Sequence, residues 1–455
     1  MNYLECREKY PVFQYHGYVA HEDHENLFVT YHFSIPTLAE FSPTWTFPKT
    51  NPNSVLDGNK TLSVMLDDLG LTELVSYWKL TMSPRVELLS TSLDEASIAF
   101  YKKLYYHGLG EYFYLNHIEI DMESFMDIIP LGQEKEGTDM PLTESGKRMI
   151  PIGGGKDSAV TLEVLSSQKD TSFCFAINPR GAVNNTVLAA GYDDSRFLKA
   201  KRTLAKEMLE LNKQGFLNGH TPFSAIVAFS GAITAYINGI RDVVLSNEGS
   251  ANESTVLGST VNHQYSKSLE FEADVREYMQ NKQKSGINYF SLLRPLSEYQ
   301  IAAYFAKHKK YHDIFRSCNK GSKEDIWCGA CPKCLFVYLI LSPFLSEQEL
   351  ISIFGHRLTD DENLLPDFEK LTGLLPEKPF ECVGSRSEVI AAITEAMNAM
   401  DEKDYPMMFR KFQETALYQK NTHPGKNFLG KVHSNHFLLP HYYDALKQAM
   451  DLEEH

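Results

Sequence analysis

Long apolar runs are missing from this 455-residue chain. The longest, Leu335–Leu341, falls far short of the roughly 20 residues that a membrane-crossing helix needs. The first ten residues, MNYLECREKY, hold no apolar core of the kind a secretory leader carries. Positive charge is also scarce: 44 Lys and Arg stand against 59 Asp and Glu, a formal charge of −15. A surface of that sign repels phosphate backbones, so no nucleic-acid partner is expected without a locally basic groove. Cysteine is sparse too, seven in all with four between residues 318 and 334, which excludes a disulfide framework and suits a reducing compartment. Internal repeats and low-complexity tracts are absent. These absences lead to the expectation of a cytoplasmic protein with no membrane partner.

What remains is ordinary globular composition, 43% hydrophobic and 23% charged, in a chain long enough for two or three domains. Three textures divide it. Residues 1–145 are rich in aromatics and His, with alternating stretches at Asn26–Ser34 and Tyr112–Ile120 that predict half-buried strands. A helix is predicted at Leu62–Leu80, and an α+β domain overall. Residues 146–345 alternate strand and helix: strands at Met149–Ile152, Ser172–Ile177 and Asp242–Ser246, helices at Ala159–Leu165 and Pro222–Ile240. That order predicts an α/β domain with a parallel sheet. Residues 346–455 read as mostly helical.

The sharpest local signal is IPIGGGKDS, residues 150–158, a strand running through three glycines into a helix. Gly153, Gly154 and Gly155 let the backbone turn tightly and approach a ligand without Cβ clashes. The helix that follows points its amide groups and positive dipole end at the same spot. Lys156 adds a mobile cation, Ser158 a hydroxyl, and Asp157 a carboxylate suited to Mg²⁺. Together they form a phosphate pocket, with neither the Walker A nor the GxGxxG spacing. The motif resembles the PP-loop of the ATP pyrophosphatase superfamily, usually SGGxDS, with Gly153 where the family usually has Ser. That resemblance implies ATP as co-substrate, cleaved between its α and β phosphates so that AMP passes to a carboxylate or carbonyl oxygen.

Cys318, Cys328, Cys331 and Cys334 lie in SCNKGSKEDIWCGACPKC. Four thiolates this close can enclose a Zn²⁺ tetrahedron, with Gly329 and Pro332 favouring the tight turns. A site filled by four protein ligands is structural and not catalytic. Spacing alone leaves an iron–sulfur cluster open as well. The cluster, downstream of a PP-loop and of Arg294-Pro295-Leu296, resembles 7-cyano-7-deazaguanine synthase. Such synthases are shorter and lack both flanking regions.

Further stretches sharpen the likeness: VNHQYSKSLEFE (261–272), WCGACPKCLFVYLILSPFL (327–345) and KPFECVG (378–384). With IPIGGGKDSAVTLEVL they resemble the bacterial UDP-N-acetylmuramoyl-L-alanyl-L-glutamate epimerases. The resemblance implies an isomerase that inverts the terminal L-Glu of UDP-MurNAc-L-Ala-L-Glu to D-Glu in peptidoglycan precursor synthesis, with ATP, Mg²⁺ and release of AMP and pyrophosphate. The chemistry is coherent, because a carboxylate beside Cα opposes removal of the α-proton. Adenylation neutralises that carboxylate and makes it an electron sink. An N-acylated substrate also permits closure to a five-membered oxazolone with an acidic α-proton.

Several residues are candidates for the proton transfer and binding that this reaction needs. Glu248 follows a predicted strand at its carboxyl end, where α/β ligands bind. His263 could shuttle a proton, and Lys267 could hold the γ-carboxylate or a phosphate. Arg180, after the strand FCFAINP, is placed to meet nucleotide or substrate. Each reads equally as an ordinary surface residue, and Cys382 reads better as buried core than as a proton-transfer thiol. Two rivals stand beside the epimerase: a PP-loop enzyme adenylating a deazapurine, a tRNA or another carboxylate, and a sensor that holds ATP without turnover. Oligomeric state is not legible.

Overall fold

The computed structural model describes every residue except Met1, 138–141, 143–145, 250–264, 322, 380, 382, 421 and 452–455. His263 and Cys382 lie outside the described residues. The described residues form thirteen strands, in chain order β1 Val12–Glu22, β2 Asn26–Ile35, β3 Ala39–Phe41, β4 Thr44–Pro48, β5 Arg85–Leu88, β6 Thr91–Ser92 and β7 Asp127–Pro130, then β8 Gln133–Glu134, β9 Arg148–Pro151, β10 Ser172–Ile177, β11 Phe197–Thr203, β12 Asp242–Leu245 and β13 Asn288–Ser291. Eleven of them form one sheet in the order β13-β12-β9-β10-β11-β4-β2-β1-β5-β7, with β3 beside β2.

The block β13-β12-β9-β10-β11 is all parallel. In chain order it grows from β9 outward in both directions, so its order reverses between β9 and β12. Doubly wound sheets bind ligands in the crevice at such a reversal, outside the carboxyl ends of the strands. Beyond β11 the sheet continues into the N-terminal strands, because Lys201–Thr203 pair antiparallel with Thr44–Thr46.

Side-chain alternation along the parallel strands builds two cores. Met149, Phe175 and Val243 face one, while Ile150, Cys174 and Val244 face the other. A sheet buried on both faces is what the short apolar strands of this region require. The first core includes the helix Lys60–Trp78, buried on all sides along nearly its whole length, with Asp67, Asp68 and Glu73 among its buried residues. Its Glu73 receives Nε and Nη2 of Arg202 from β11 at 2.6–3.1 Å, a buried fork that locks this helix to the sheet. Helices Pro332–Leu341 and Arg386–Asn398 are central to the second core. Among the described residues, no helix is long and apolar enough to cross a membrane.

The strands predicted at residues 26–34, 149–152, 172–177 and 242–246 are present to within one residue, and the helices predicted at 62–80, 159–165 and 222–240 to within three. Tyr112–Ile120 is different: the chain forms the helix Gly110–Leu115 and then turns. Tyr112 and Phe113 are adjacent and both buried, so burial here does not alternate as it would along a half-buried strand. Local bonds such as Phe113 N–H to Leu109 O, 2.9 Å, hold the turn, and His117 closes it with φ +53°.

Within the first core, Asp68 accepts hydrogen bonds from Tyr101 Oη (2.9 Å), Tyr278 Oη (2.7 Å) and Gln283 Nε2 (2.8 Å). Burial lifts its carboxyl to about 6 and outweighs these three donors. The folded state therefore keeps a proton that the unfolded chain has already released. That contribution to stability is present below the ordinary carboxylate pKa and is lost as pH rises through about 6, by at most ~3 kcal/mol. Urea titrations between pH 5 and 7.5 are expected to show this decline in the wild type and not in an Asp68→Asn variant.

Candidate active site

The glycine turn sits at the carboxyl end of β9, on one side of the order reversal. Gly154 has φ +79°, and a Cβ there would lie 3.0 Å from the Val183 amide nitrogen, so only glycine fits. Its carbonyl accepts Arg316 N–H at 2.8 Å. Gly155 is the extended N-cap of helix Lys156–Val164 and provides no capping side chain, which leaves the dipole end of the helix facing the crevice. A Cβ on Gly153 would meet nothing within 4 Å, so the site has room for the serine usual in PP-loops. Ser158 is buried, its hydroxyl donating to Gly155 O at 3.1 Å.

Lys156 is 3% exposed and gives its ammonium to the carboxylates of Asp157 and Glu298. Burial would lower its pKa, but the two carboxylates outweigh that and hold the lysine charged. Burial also pushes Asp157 upward, yet Lys156 first, then Lys333 and Lys267, bring it below the ordinary range. Glu298 goes the other way: burial raises it, Asp157 and Glu248 add to the rise, and Lys156 and Lys333 oppose it. One carboxylate oxygen each from Asp157, Glu248 and Glu298 lie within 4.8 Å of one another, an arrangement able to hold a cation.

Glu248 comes from across the reversal, three residues beyond β12. Arg294, 1% exposed, fixes it there. The guanidinium donates to Glu248 O at 2.7 Å and Lys267 O at 2.8 Å and pairs with the Glu272 carboxylate at 2.9 Å. The other Glu272 oxygen accepts Ser291 N–H at 2.9 Å. A single buried ion pair thus ties the end of β13 to the segments carrying Glu248 and Lys267. Arg180 is exposed at the N-cap of helix Gly181–Ala189, whose first turn abuts Gly154.

The four cysteine sulfurs also converge. Sγ separations are 3.8 Å for Cys318–Cys331, 3.7 Å for Cys328–Cys334 and 3.4 Å for Cys331–Cys334. A tetrahedral ion with ~2.3 Å bonds to sulfur places its ligands about 3.8 Å apart. Gly321 N–H approaches Cys318 Sγ at 3.1 Å and Ala330 N–H approaches Cys328 Sγ at 3.4 Å, while Gly329 turns with φ +62°. The cysteine loop also braces the glycine turn, since the Ser317 Cβ lies 3.3 Å from where a Gly155 Cβ would stand. Asp325 Oδ1 accepts Ala182 N–H at 2.8 Å.

The structure therefore brings Lys156, Asp157 and Glu248 together with the glycines, keeps Lys267 within electrostatic reach, and leaves Arg180 exposed at the cap of the helix that abuts Gly154. Sequence reasoning missed Glu298, although it follows β13 by the carboxyl-end rule that found Glu248. It also missed Lys333, which is buried between two of the cysteines and acts electrostatically on both Asp157 and Glu298.

Comparison with known proteins follows the same outline. The family model for the MurL N-terminal domain matches residues 4–292, and that for the MurL C-terminal domain matches 314–425. A UDP-N-acetyl-alpha-D-muramoyl-L-alanyl-L-glutamate epimerase of a Micromonospora species is 34% identical over 76% of this chain and 78% of its own length. The protein of the same name from Xanthomonas oryzae pv. oryzae is 35% identical over 69% of this chain and 70% of its own. A third, from Salinispora tropica, is 34% identical over 76% of each. No solved structure matches the chain.

Proposed function

The chain belongs to the MurL family, and from that premise we propose that it inverts the terminal L-Glu of UDP-MurNAc-L-Ala-L-Glu to D-Glu, a step in peptidoglycan precursor synthesis. Such a protein is an isomerase acting on a soluble precursor, in keeping with a cytoplasmic place. We propose further that the fold is that of a PP-loop enzyme and that ATP activates the α-carboxylate as an adenylate. The observation that supports this most is the meeting of the glycine turn, Lys156 and the Asp157, Glu248 and Glu298 carboxylates at the order reversal of the parallel sheet.

In this reading the helix amides after Gly155 and the Lys156 ammonium bind the β and γ phosphates. Asp157 with Glu298 would hold Mg²⁺, which neutralises phosphate charge when bound. The substrate carboxylate attacks the α phosphorus and pyrophosphate leaves. With its charge removed, the activated carboxyl accepts the electron pair of the Cα–H bond as a base takes the proton. Glu248 is the described carboxylate best placed for that, across the crevice from the loop. Reprotonation on the opposite face and attack by water then give D-Glu and AMP, with or without an oxazolone on the way. Lys267 and Arg180 serve as anion-binding groups, and His263 remains a second proton carrier.

The Cys318–Cys331, Cys328–Cys334 and Cys331–Cys334 sulfur separations of 3.8, 3.7 and 3.4 Å support the reading of one structural tetrahedral Zn²⁺ over a multi-iron cluster. Residues 1–145 would recognise the UDP-linked sugar, residues 146–345 carry the chemistry, and residues 346–455 support it.

The test uses purified protein, Mg²⁺-ATP and UDP-MurNAc-L-Ala-L-Glu, with AMP followed by chromatography and Glu configuration by chiral analysis. AMP together with D-Glu is expected. AMP without inversion would point to a ligase or another adenylating enzyme. Inversion without AMP would remove the adenylate.

A further inference from the structure

In a chain of net charge −15, residues 415–443 contain no Asp or Glu. The same stretch holds Lys420, Lys426, Lys431, His423, His433, His436 and His441. Lys420 and His423 are engaged by Glu402 and Glu395. The others belong to a strip that the matched C-terminal family segment, ending at residue 425, does not include.

The strip is fastened to the candidate site through its backbone. Gln300 Nε2 donates to Leu429 O at 3.3 Å and Lys431 O at 3.1 Å. His433 N–H donates to Pro295 O at 2.8 Å. These anchors lie on either side of Glu298 and next to Arg294. The His433 ring covers Gly249, the neighbour of Glu248, so closely that a Cβ there would stand 2.7 Å from its Cδ2. A side chain at Gly249 would have to displace this imidazole and would also crowd the Arg294 carbonyl, 3.1 Å from the same Cβ position. Main chain does the fastening while the Lys431 and His433 side chains stay exposed. The anchors thus bring the strip to the segments that carry Glu248 and Glu298, two of the three converging carboxylates; further cations there would add to Lys156, Lys267 and Lys333 in drawing an anion to the crevice.

We propose that this strip is an anion-binding site, with Lys431 and His433 contacting an anionic group of the substrate. The identity of that anion rests on the epimerase reading: it is either the γ-carboxylate of the terminal Glu or the diphosphate of the nucleotide.

The experiment measures equilibrium binding, without ATP, to the wild type, Lys431→Gln, His433→Gln and the double variant, with Lys403→Gln as a surface control. Three probes are used: UDP-MurNAc-L-Ala-L-Glu, the same dipeptide sugar without UDP, and UDP-MurNAc-L-Ala-L-Gln. The double variant is expected to raise Kd for the full substrate by about tenfold or more, the scale of one charge-assisted hydrogen bond. If the loss persists without UDP and vanishes with the Gln probe, the anion is the γ-carboxylate; the reverse pattern makes it the diphosphate. Unchanged Kd for all three probes overturns the proposal, as does a wild type that binds none of them. Inversion by the wild type is assayed in parallel. Weakened binding in the variants beside a wild type that does not invert would remove the epimerase reading and leave the strip standing.

Discussion

An Asp157→Asn protein is expected to lose AMP release and Glu inversion together, by about 10²–10³-fold in kcat, as when one preorganised charge is taken from a transition state. Asp157 sits at the start of the glycine-loop helix, shares the buried Lys156 ammonium with Glu298, and lies within 4.8 Å of the Glu248 oxygen. An amide keeps the shape but removes the charge that can hold a cation against the phosphates. Because the Asp157 side chain is 31% exposed, the fold tolerates the change, and circular dichroism should give a melting curve close to that of the wild type. The two products report different steps. Loss of both places Asp157 at activation, whereas inversion that survives without AMP would mean that the α-proton is removed from an unactivated substrate.

The second large effect concerns stability. Arg294→Met leaves the Glu272 carboxylate, 2% exposed, without its cation. Breaking a buried pair on one side costs about 3–5 kcal/mol. Replacing both partners by apolar residues of similar volume is often close to neutral, so an Arg294→Met, Glu272→Met protein should regain most of the lost stability in urea titrations. It should not regain activity, because the Glu248 and Lys267 carbonyls would still lack the guanidinium that positions them. Equal recovery of stability and turnover would reduce Arg294 to a purely structural role.

The two halves of the site differ in how much of them can be read from the chain. The glycine turn and the cysteine cluster are local: neighbours in sequence are neighbours in space, and spacing carries the chemistry. Glu298 is not local. It opens a helix behind Ser297 in a capping box with Gln300, so in sequence it looks like an ordinary helix start. Only the parallel pairing of β12 with β13 brings it beside Lys156. Lys333 is masked by the cysteines on either side of it. His433 is more than 180 residues from the Gly249 it covers, and nothing in its surroundings announces that contact. The fold shows the same division. Strands with strict alternation or short apolar runs were legible, but the aromatic stretch after Gly110 was not, because rings packed on adjacent positions mimic a strand pattern while the backbone closes local bonds.

The antiparallel seam between β11 and β4 makes the parallel block and the N-terminal strands a single hydrogen-bonded body. Neither portion can melt without exposing a strand edge of the other, so unfolding should be cooperative across the seam and not modular. A gene cut near residue 145 would produce two fragments, each with an open, aggregation-prone edge. Those fragments would be expected to find each other during co-expression more readily than either folds alone. Swapping the N-terminal portion between relatives to change substrate preference would then succeed only if the Thr44–Thr46 and Lys201–Thr203 segments travel together.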